Sequence, residues 1–391
     1  MNKRRFVYLD NAATTPVDTA VFKKMQPYFF EQYGNPSTIY NLGEKANQAV
    51  ENARNQIANF LKCSSNEIYF TGSASESDNW IIYGLLSNKK KKIHIITSVI
   101  EHKAILEPCK NLEEEGIAEI TYLPINESGL IEINSLEKAI KKNTLLVSIM
   151  YANSEIGTVQ PIEEMGALIK RINSKRKEKI IFHTDAVQAV NYLNCDVQNL
   201  GVDSLSLSGH KIYGPKGIGA LYIRSGISIN PLIHGGGQEK GMRSGTENVP
   251  GIVGLGEAVK KVQSSKSKVQ KIKVLRNKLI TGILKDIPDS QFNGSLEKRL
   301  PNNAHISFKG AEGESIVIEL SQKDIFVSTG SACASKSLSP SHVLTSLGLS
   351  HEESHCSVRF TLGRQTKDED INYVLKVLPG IIKRLRKISG R

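Results

Sequence analysis

Lys211 stands in Ser206-Leu-Ser-Gly-His-Lys-Ile-Tyr-Gly-Pro-Lys-Gly217, where an apolar run ends in small polar residues, then His210, then a Gly/Pro-rich turn. Lysine is ordinarily exposed and flexible. Just past a buried strand, with hydroxyls and an imidazole around it, a lysine amine is suited to form a Schiff base. Taken alone, the motif fits an ordinary surface-loop lysine equally well. Upstream lies His183-Thr-Asp-Ala-Val-Gln188, in which Asp185 ends the apolar run from Ile180. A carboxylate at the C-terminal end of a parallel strand sits where α/β sheets bind ligands, although a lone Asp there also serves as a turn or N-cap residue. An amine and an acid on successive strands are the pair that pyridoxal phosphate needs: the lysine for its aldehyde, the carboxylate for its ring nitrogen.

Two further stretches carry chemistry. Phe70-Thr-Gly-Ser-Ala-Ser-Glu-Ser-Asp-Asn79 joins a strand to a helix through small hydroxyl residues. The N–H groups at such a helix start favour a phosphate, and Ser73 to Glu76 also reads as a plain capping box. In Ser328-Thr-Gly-Ser-Ala-Cys-Ala-Ser-Lys-Ser337, Cys333 has only small neighbours, which cannot pack a core. Its thiol is expected to be reachable, with Lys336 near enough to lower its pKa. Cys63, Cys109, Cys195 and Cys356 read as small buried hydrophobes.

The elements that must position these groups alternate along the chain. Short β-branched runs occur at Ile93–Thr97, Glu119–Leu123, Leu145–Ala152, Ile180–Thr184, Ser204–Leu207 and Gly219–Ile223, separated by helical patterns. That rhythm predicts a mostly parallel sheet with helices on both faces. Glu44–Leu61 has helical periodicity, as does Ile252–Ile283 with a break near Ser264, Ser265 and Ser267. Beyond it, a strand Ala304–Phe308, a helix Gly313–Leu320, a strand Ser357–Thr361 and a helix Lys367–Ile388 predict a smaller α+β domain. The expected division is a large cofactor domain over 15–258, and a small domain from 1–14 and 259–391 that carries the Cys333 loop.

Composition bounds the function class. The 391 residues are 39% hydrophobic and 23% charged, which suits a folded globular chain. No run of 18 apolar residues predicts a spanning helix. Met1–Arg5 is basic, but no long apolar stretch follows, so no secretory signal is expected. The five cysteines are odd in number and lack CxxC spacing; they predict a reducing compartment, no zinc site and a cytoplasmic location. The net charge of +12 sits largely in lysine runs without aromatics, at Lys89–Lys92, Lys260–Lys278 and Lys383–Lys387. Those runs read as solvated faces or as attraction for an acidic protein partner or an anionic cofactor, with neither membrane nor direct nucleic-acid binding expected.

The motifs together resemble the NifS/IscS-type cysteine desulfurases, of the class V aminotransferase group of fold-type I pyridoxal phosphate enzymes. The resemblance spans essentially the whole chain. It rests on Tyr8-Leu-Asp-Asn-Ala-Ala-Thr-Thr-Pro16, Gly34-Asn-Pro-Ser37, Glu101-His102, Asn153-Ser-Glu-Ile-Gly157, His183-Thr-Asp-Ala-Val-Gln188, Ser208-Gly-His-Lys211, His234-Gly-Gly-Gly237, Arg243-Ser-Gly-Thr246, Gly330-Ser-Ala-Cys333 and Val358-Arg-Phe-Thr-Leu-Gly-Arg364. The extended stretch up to Pro340-Ser-His-Val-Leu344 looks like the subgroup with a long loop. The resemblance implies an α/β large domain with a mostly parallel seven-stranded sheet, and a homodimer. It also implies that L-cysteine becomes L-alanine while sulfur passes as a persulfide on Cys333 to an acceptor protein, for Fe–S cluster, thio-tRNA or sulfur-cofactor synthesis.

Roles follow position by position from that resemblance. Lys211 would hold pyridoxal 5′-phosphate and move the Cα proton; Asp185 would pair with the ring nitrogen. His102 would stack on the ring and act in acid–base steps, and Gln188 would bond the phenolic oxygen. Ala74, Ser75, Ser208 and His210 would hold the phosphate, with Thr246 reaching in from the other subunit. Arg359 would grip the substrate carboxylate, and Cys333 would attack the substrate sulfur. No metal is implied. The chain departs from the family at Ser154, usually Asn, which contacts cofactor or substrate. It departs also at Ala74-Ser75, usually Ala-Thr, at Gly72-Ser73, usually Ser-Gly, and at Tyr40, usually His. Two other readings stay open: a selenocysteine lyase or another class V lyase or aminotransferase, and a weakly active partner in a sulfur-transfer complex.

Overall fold

The strands form where β-branched runs can be buried on both faces, and their alternate residues show how. In the computed structural model, which describes residues 6–86, 92–264, 266–330 and 340–390, they are β1 Val7–Tyr8, β2 Ile68–Thr71, β3 Ile93–Ser98, β4 Ala118–Leu123, β5 Thr144–Ser148, β6 Ile181–Asp185, β7 Ser204–Ser208, β8 Gly219–Ile223, β9 Ser290–Phe292, β10 Asn303–Phe308, β11 Ile325–Phe326 and β12 Ser357–Thr361. Seven build one sheet in the order β2-β8-β7-β6-β5-β3-β4. Only β8 runs against its neighbours in it, antiparallel to β2 and β7. The mostly parallel seven-stranded α/β sheet is therefore as expected.

Neighbouring residues of one strand serve opposite cores, as the period of two requires. Ile96, Val147 and Tyr222 join the core under the helices Asn41–Leu61 and Val249–Ser264. Ile95, Leu146 and Leu221 join the other, with Trp80 and Ile81 of the helix Ala74–Gly84 and Ile105 of the helix Lys103–Glu114. Each fully buried Ile or Leu contributes roughly 1.5–3 kcal/mol. β7, with the sequence SLSLS, alternates like a half-exposed strand, yet all five residues are buried. Ser206 has a partner there, its Oγ meeting His183 Nε2 at 3.0 Å, whereas Ser204 Oγ is buried without one among the described residues.

Some boundaries differ from expectation, with local causes. β5 stops at Ser148 rather than Ala152, because the chain turns inward: the Met150 amide donates to both Glu101 carboxylate oxygens at 3.0 Å. Ala152 bridges Val159 instead. The first long helix begins at Asn41, three residues before Glu44, and ends where Lys62 turns left-handed at φ 59°. The expected helical stretch Ile252–Ile283 is two helices, Val249–Ser264 and Lys266–Asp286; their junction falls at Ser265, outside the described residues. Gly256 allows the first of them to lie against Asn41–Leu61, since a Cβ there would be 2.9 Å from Ala53 Cα.

A separate core holds β10, β12 and the helices Lys266–Asp286, Gly313–Ser321 and Asp368–Ile388, with Val7 and Leu9 of the N-terminal segment. There β9, β10 and β12 form an antiparallel sheet, and β1 pairs in parallel with β11. Val259 and Val262 still pack in the large core, whereas Ile272 belongs to the small one. The change of core therefore comes at the helix junction and not at 258/259. Among the described residues, no helix is long and apolar enough to cross a membrane.

Candidate active site

The site is assembled at the C-terminal ends of the parallel strands, where such sheets bind ligands. A cavity of about 240 Å3 there is lined by Ala74, Ser75, His102, Ser154, Asp185, Gln188, Ser208, His210, Lys211 and Arg359, together with Ala12, Ala13, Asp78 and Met150. Ten residues singled out in the sequence thus meet around one space. Thr246 does not; within its own chain it lines a separate cleft with Gly72, Glu239 and Arg243. Cys333 and Lys336 lie outside the described residues.

β7 ends at Ser208, and the turn Gly209–Lys211 follows directly. It delivers the Lys211 ammonium to the N-terminal segment, where Nζ donates to the carbonyls of Ala12 at 2.5 Å and Ala13 at 2.7 Å. Gln188 Nε2 donates to the same Ala12 carbonyl at 3.0 Å. His210 Nδ1 lies 3.2 Å from Thr14 Oγ1, and burial, then Lys211 and Lys216, lower its pKa to about 4. It is therefore a neutral hydrogen-bonding group at neutral pH.

Asp185 closes β6 with its carboxylate buried; Oδ1 accepts from the Val187 amide at 2.8 Å. Burial raises its pKa, opposed by His102, that amide and Lys211. A carboxylate in this position gains from a cation placed beside it. Asp78, on the helix Ala74–Gly84, is still more deeply buried. Burial and then Asp185 raise its pKa well above the ordinary value, and its Oδ1 has no hydrogen-bond partner among the described residues. Its 3.6 Å approach to His183 Nε2 is not an ion pair, because burial holds His183 neutral with a pKa near 3.

His102 caps the helix Lys103–Glu114: its Nδ1 accepts from the Ala104 amide at 3.1 Å. That bond leaves the proton of the neutral ring on Nε2. Burial lowers its pKa, Asp185 opposes the shift, and Lys211 adds to it. Beside it, Glu101 is buried; burial pushes its carboxyl up to about 8 despite bonds from Ser98 and Met150.

The turn before the helix Ala74–Gly84 has half of a capping box. Ser73 Oγ accepts from the Glu76 amide at 3.2 Å, but Glu76 returns to the Gly72 amide at 2.8 Å rather than to Ser73. Arg243 Nε fixes the Glu76 carboxylate at 2.8 Å. The first N–H groups of a helix have no intrahelical partner, and Ser73, Ala74 and Ser75 at this helix start line the cavity. Gly219 makes room for it: a Cβ there would sit 2.7 Å from the Ser73 carbonyl carbon.

Arg359, on β12, reaches the cavity almost wholly buried. Nη2 donates to Asp10 Oδ1 at 2.8 Å and Nη1 to the Ser154 carbonyl at 3.0 Å; Nε is buried with no partner among the described residues. Ser154 thus contacts Arg359 through its main chain, a contact indifferent to Ser in place of Asn. Its turn depends on Gly157, with φ +74°, where a Cβ would lie 2.6 Å from Asn303 Cγ. Next to it, Glu155 Oε2 accepts from Ser341 Oγ at 2.6 Å, and a Cβ on Gly330 would lie 3.2 Å from the same oxygen. Gly330 and Ser341, on either side of residues 331–339, are therefore both beside this carboxylate. His342 Nε2 lies 3.0 Å from the Glu101 carbonyl.

Asp10, Asp78 and Glu155 were not singled out from the sequence, and neither were the Ala12 and Ala13 carbonyls. Asp10 and Glu155 lie inside motifs recognised as strings, which was the available signal; a backbone carbonyl has none. Among the described residues no cluster of His, Cys, Asp and Glu is arranged to hold a metal.

The chain is similar to known proteins over nearly its whole length. The family model "Aminotransferase class-V" matches residues 7–374. A protein of Clostridium botulinum named cysteine desulfurase IscS is 49% identical over 393 residues, covering 100% of this chain and 97% of that one. A protein of the same name from Methanosarcina thermophila is 49% identical, covering 99% and 94%. Among solved structures, a NifS-like protein superposes with a TM-score of 0.88 at 38% identity, covering 99% of this chain and 100% of that one. A structure described as SspA in complex with cysteine gives 0.80 at 40% identity, covering 91% and 98%.

Proposed function

The chain belongs to the class V aminotransferase family, and from that premise we propose that it is a cysteine desulfurase working with pyridoxal 5′-phosphate. The observation that carries this reading is the convergence of Lys211, Asp185 and the Arg359 guanidinium on one cavity. The donor set fits the cofactor. Asp185 is a buried carboxylate with a raised pKa, suited to a ring N–H+; the start of the helix Ala74–Gly84, Ser75, Ser208 and His210 suit a phosphate. When bound, pyridoxal phosphate supplies an aldehyde that captures the substrate amine and a ring that takes up the electron pair released at Cα.

The chain's own groups do the rest. Arg359 orients the substrate through its carboxylate, which presents Cα to Lys211. Lys211 Nζ, released from the Ala12 and Ala13 carbonyls as the neutral amine, takes the Cα proton. His102 keeps a proton at Nε2 over the same space. Cys333 thiolate attacks the substrate sulfur: the C–S bond breaks and an S–S bond forms. L-Cysteine and the Cys333 thiol thus give L-alanine and a Cys333 persulfide, with no external oxidant or reductant. Gly330 supports this assignment. It lies beside Glu155, next to the residue whose carbonyl holds Arg359, and three residues of chain span at most about 11 Å.

The reading includes a cytoplasmic homodimer in which Thr246 completes the partner's phosphate site, and an acceptor protein that takes the sulfur onward to Fe–S cluster, thio-tRNA or sulfur-cofactor synthesis. The cleft that Thr246 lines in its own chain, apart from the cavity, supports the first part. Mass spectrometry of the holoenzyme after L-cysteine tests the function. The Cys333 peptide is expected to gain one sulfur atom, and the gain should vanish in Lys211→Ala. An unmodified Cys333 in active enzyme would overturn the assignment.

A further inference from the structure

Arg359 is already partnered before any substrate arrives. Its Nη2 donates to Asp10 Oδ1 at 2.8 Å, and the two side chains are 2% and 18% exposed. Asp10 is held rigidly. Its backbone bridges Thr361 of β12, and the Tyr8 hydroxyl donates to its carbonyl at 3.0 Å. Two residues on, Ala12 and Ala13 hold the Lys211 ammonium. One short N-terminal segment therefore occupies both the amine and the guanidinium that the substrate needs.

We propose that Asp10 tunes the affinity of the site for amino acids: it stands in for the substrate carboxylate on Arg359 and opposes that carboxylate by charge once it binds. A nearly buried guanidinium with no counter-ion is costly, so Asp10 stabilises the empty site. When an amino acid arrives, two carboxylates share one guanidinium, and their repulsion weakens ground-state binding. Asp10 thus lowers affinity for substrate and product alike, and favours release of the alanine carboxylate. The inference rests on Arg359 as the substrate-carboxylate group.

Asp10→Asn separates charge from geometry, because the amide oxygen still accepts from Nη2. In the holoenzyme, calorimetric titration with L-alanine should show at least about tenfold tighter binding in Asp10→Asn. The KM for L-cysteine should fall in parallel, while the melting temperature of the ligand-free enzyme drops. Affinity and stability moving in opposite directions is the signature; a purely structural role would lower both. Unchanged or weaker L-alanine binding overturns the proposal. Asp10→Ser gives the same comparison if the amide variant does not fold. Arg359→Gln is the control: if it leaves L-alanine binding intact, the reading of Arg359 itself fails. If it weakens binding while Asp10→Asn changes nothing, only the role of Asp10 is lost.

Discussion

Asp185 shows how a single side chain acquires its task from its surroundings. It is buried at the end of β6, and burial raises its pKa while His102 and Lys211 oppose the shift. A cofactor cation would restore it to a full carboxylate. Removing one member of such a buried pair costs about 3–5 kcal/mol. Asp185→Asn should therefore weaken pyridoxal phosphate binding by a hundredfold or more, read by fluorescence titration of the apoenzyme; an unchanged affinity would remove Asp185 from the cofactor site. In the sequence, strand ends and a small-residue turn single out Lys211 and Asp185, whereas His102, Gln188, Ser208 and His210 are reached only through the family resemblance. Asp78 is reached by neither, because its position depends on how the helix Ala74–Gly84 lies over β7. Its unpartnered Oδ1 is a property of packing.

The elements were legible where periodicity coincides with burial, as in β8 and β12, which match the sequence expectation residue for residue. They were less so where a tertiary bond ends an element. The β-branched pattern of β5 runs on to Ala152, but Glu101 draws the Met150 amide out of the ladder. The turn that follows carries Ser154 to Arg359 and needs its glycine: Gly157 has φ +74° and faces Asn303. A left-handed conformation costs a residue with a Cβ about 1–2 kcal/mol, and the contact with Asn303 adds to it. Gly157→Ala should lower stability by about 2 kcal/mol or more in urea unfolding. A loss below about 0.5 kcal/mol would show that the turn relaxes freely.

For the whole molecule, buried titratable groups pull stability in opposing directions with pH. His183 and His305 have pKa values near 3 because burial disfavours their charged forms. Their stabilisation is present above the unfolded value of about 6.5 and is lost as pH falls towards 3. Glu101, raised to about 8, acts oppositely: its contribution is present below about 4.5 and fades as pH rises through 8. The histidine term is isolated by difference. From pH 8 to pH 5 the wild type should lose about 2 kcal/mol more than His305→Asn. Parallel curves would show that His305 is protonated without cost. The separate cores do not part at 258/259, because the helix Val249–Ser264 carries Val259 and Val262 into the larger core. The C-terminal helix buries Ile381 and Ile382, so docking of an acidic acceptor on it is tested by charge reversal at Lys383 and Lys387, which should weaken a pull-down of that acceptor; unchanged binding would take the helix out of the docking surface.

The claim on which the account depends is that Lys211 and Cys333 act on one substrate molecule. Single-turnover quench experiments with sulfur-labelled L-cysteine measure this directly. Alanine and Cys333-bound sulfur should appear together, at equal rates and in equal amounts, and Cys333→Ser should form neither. Alanine released at the wild-type rate by Cys333→Ser would contradict it.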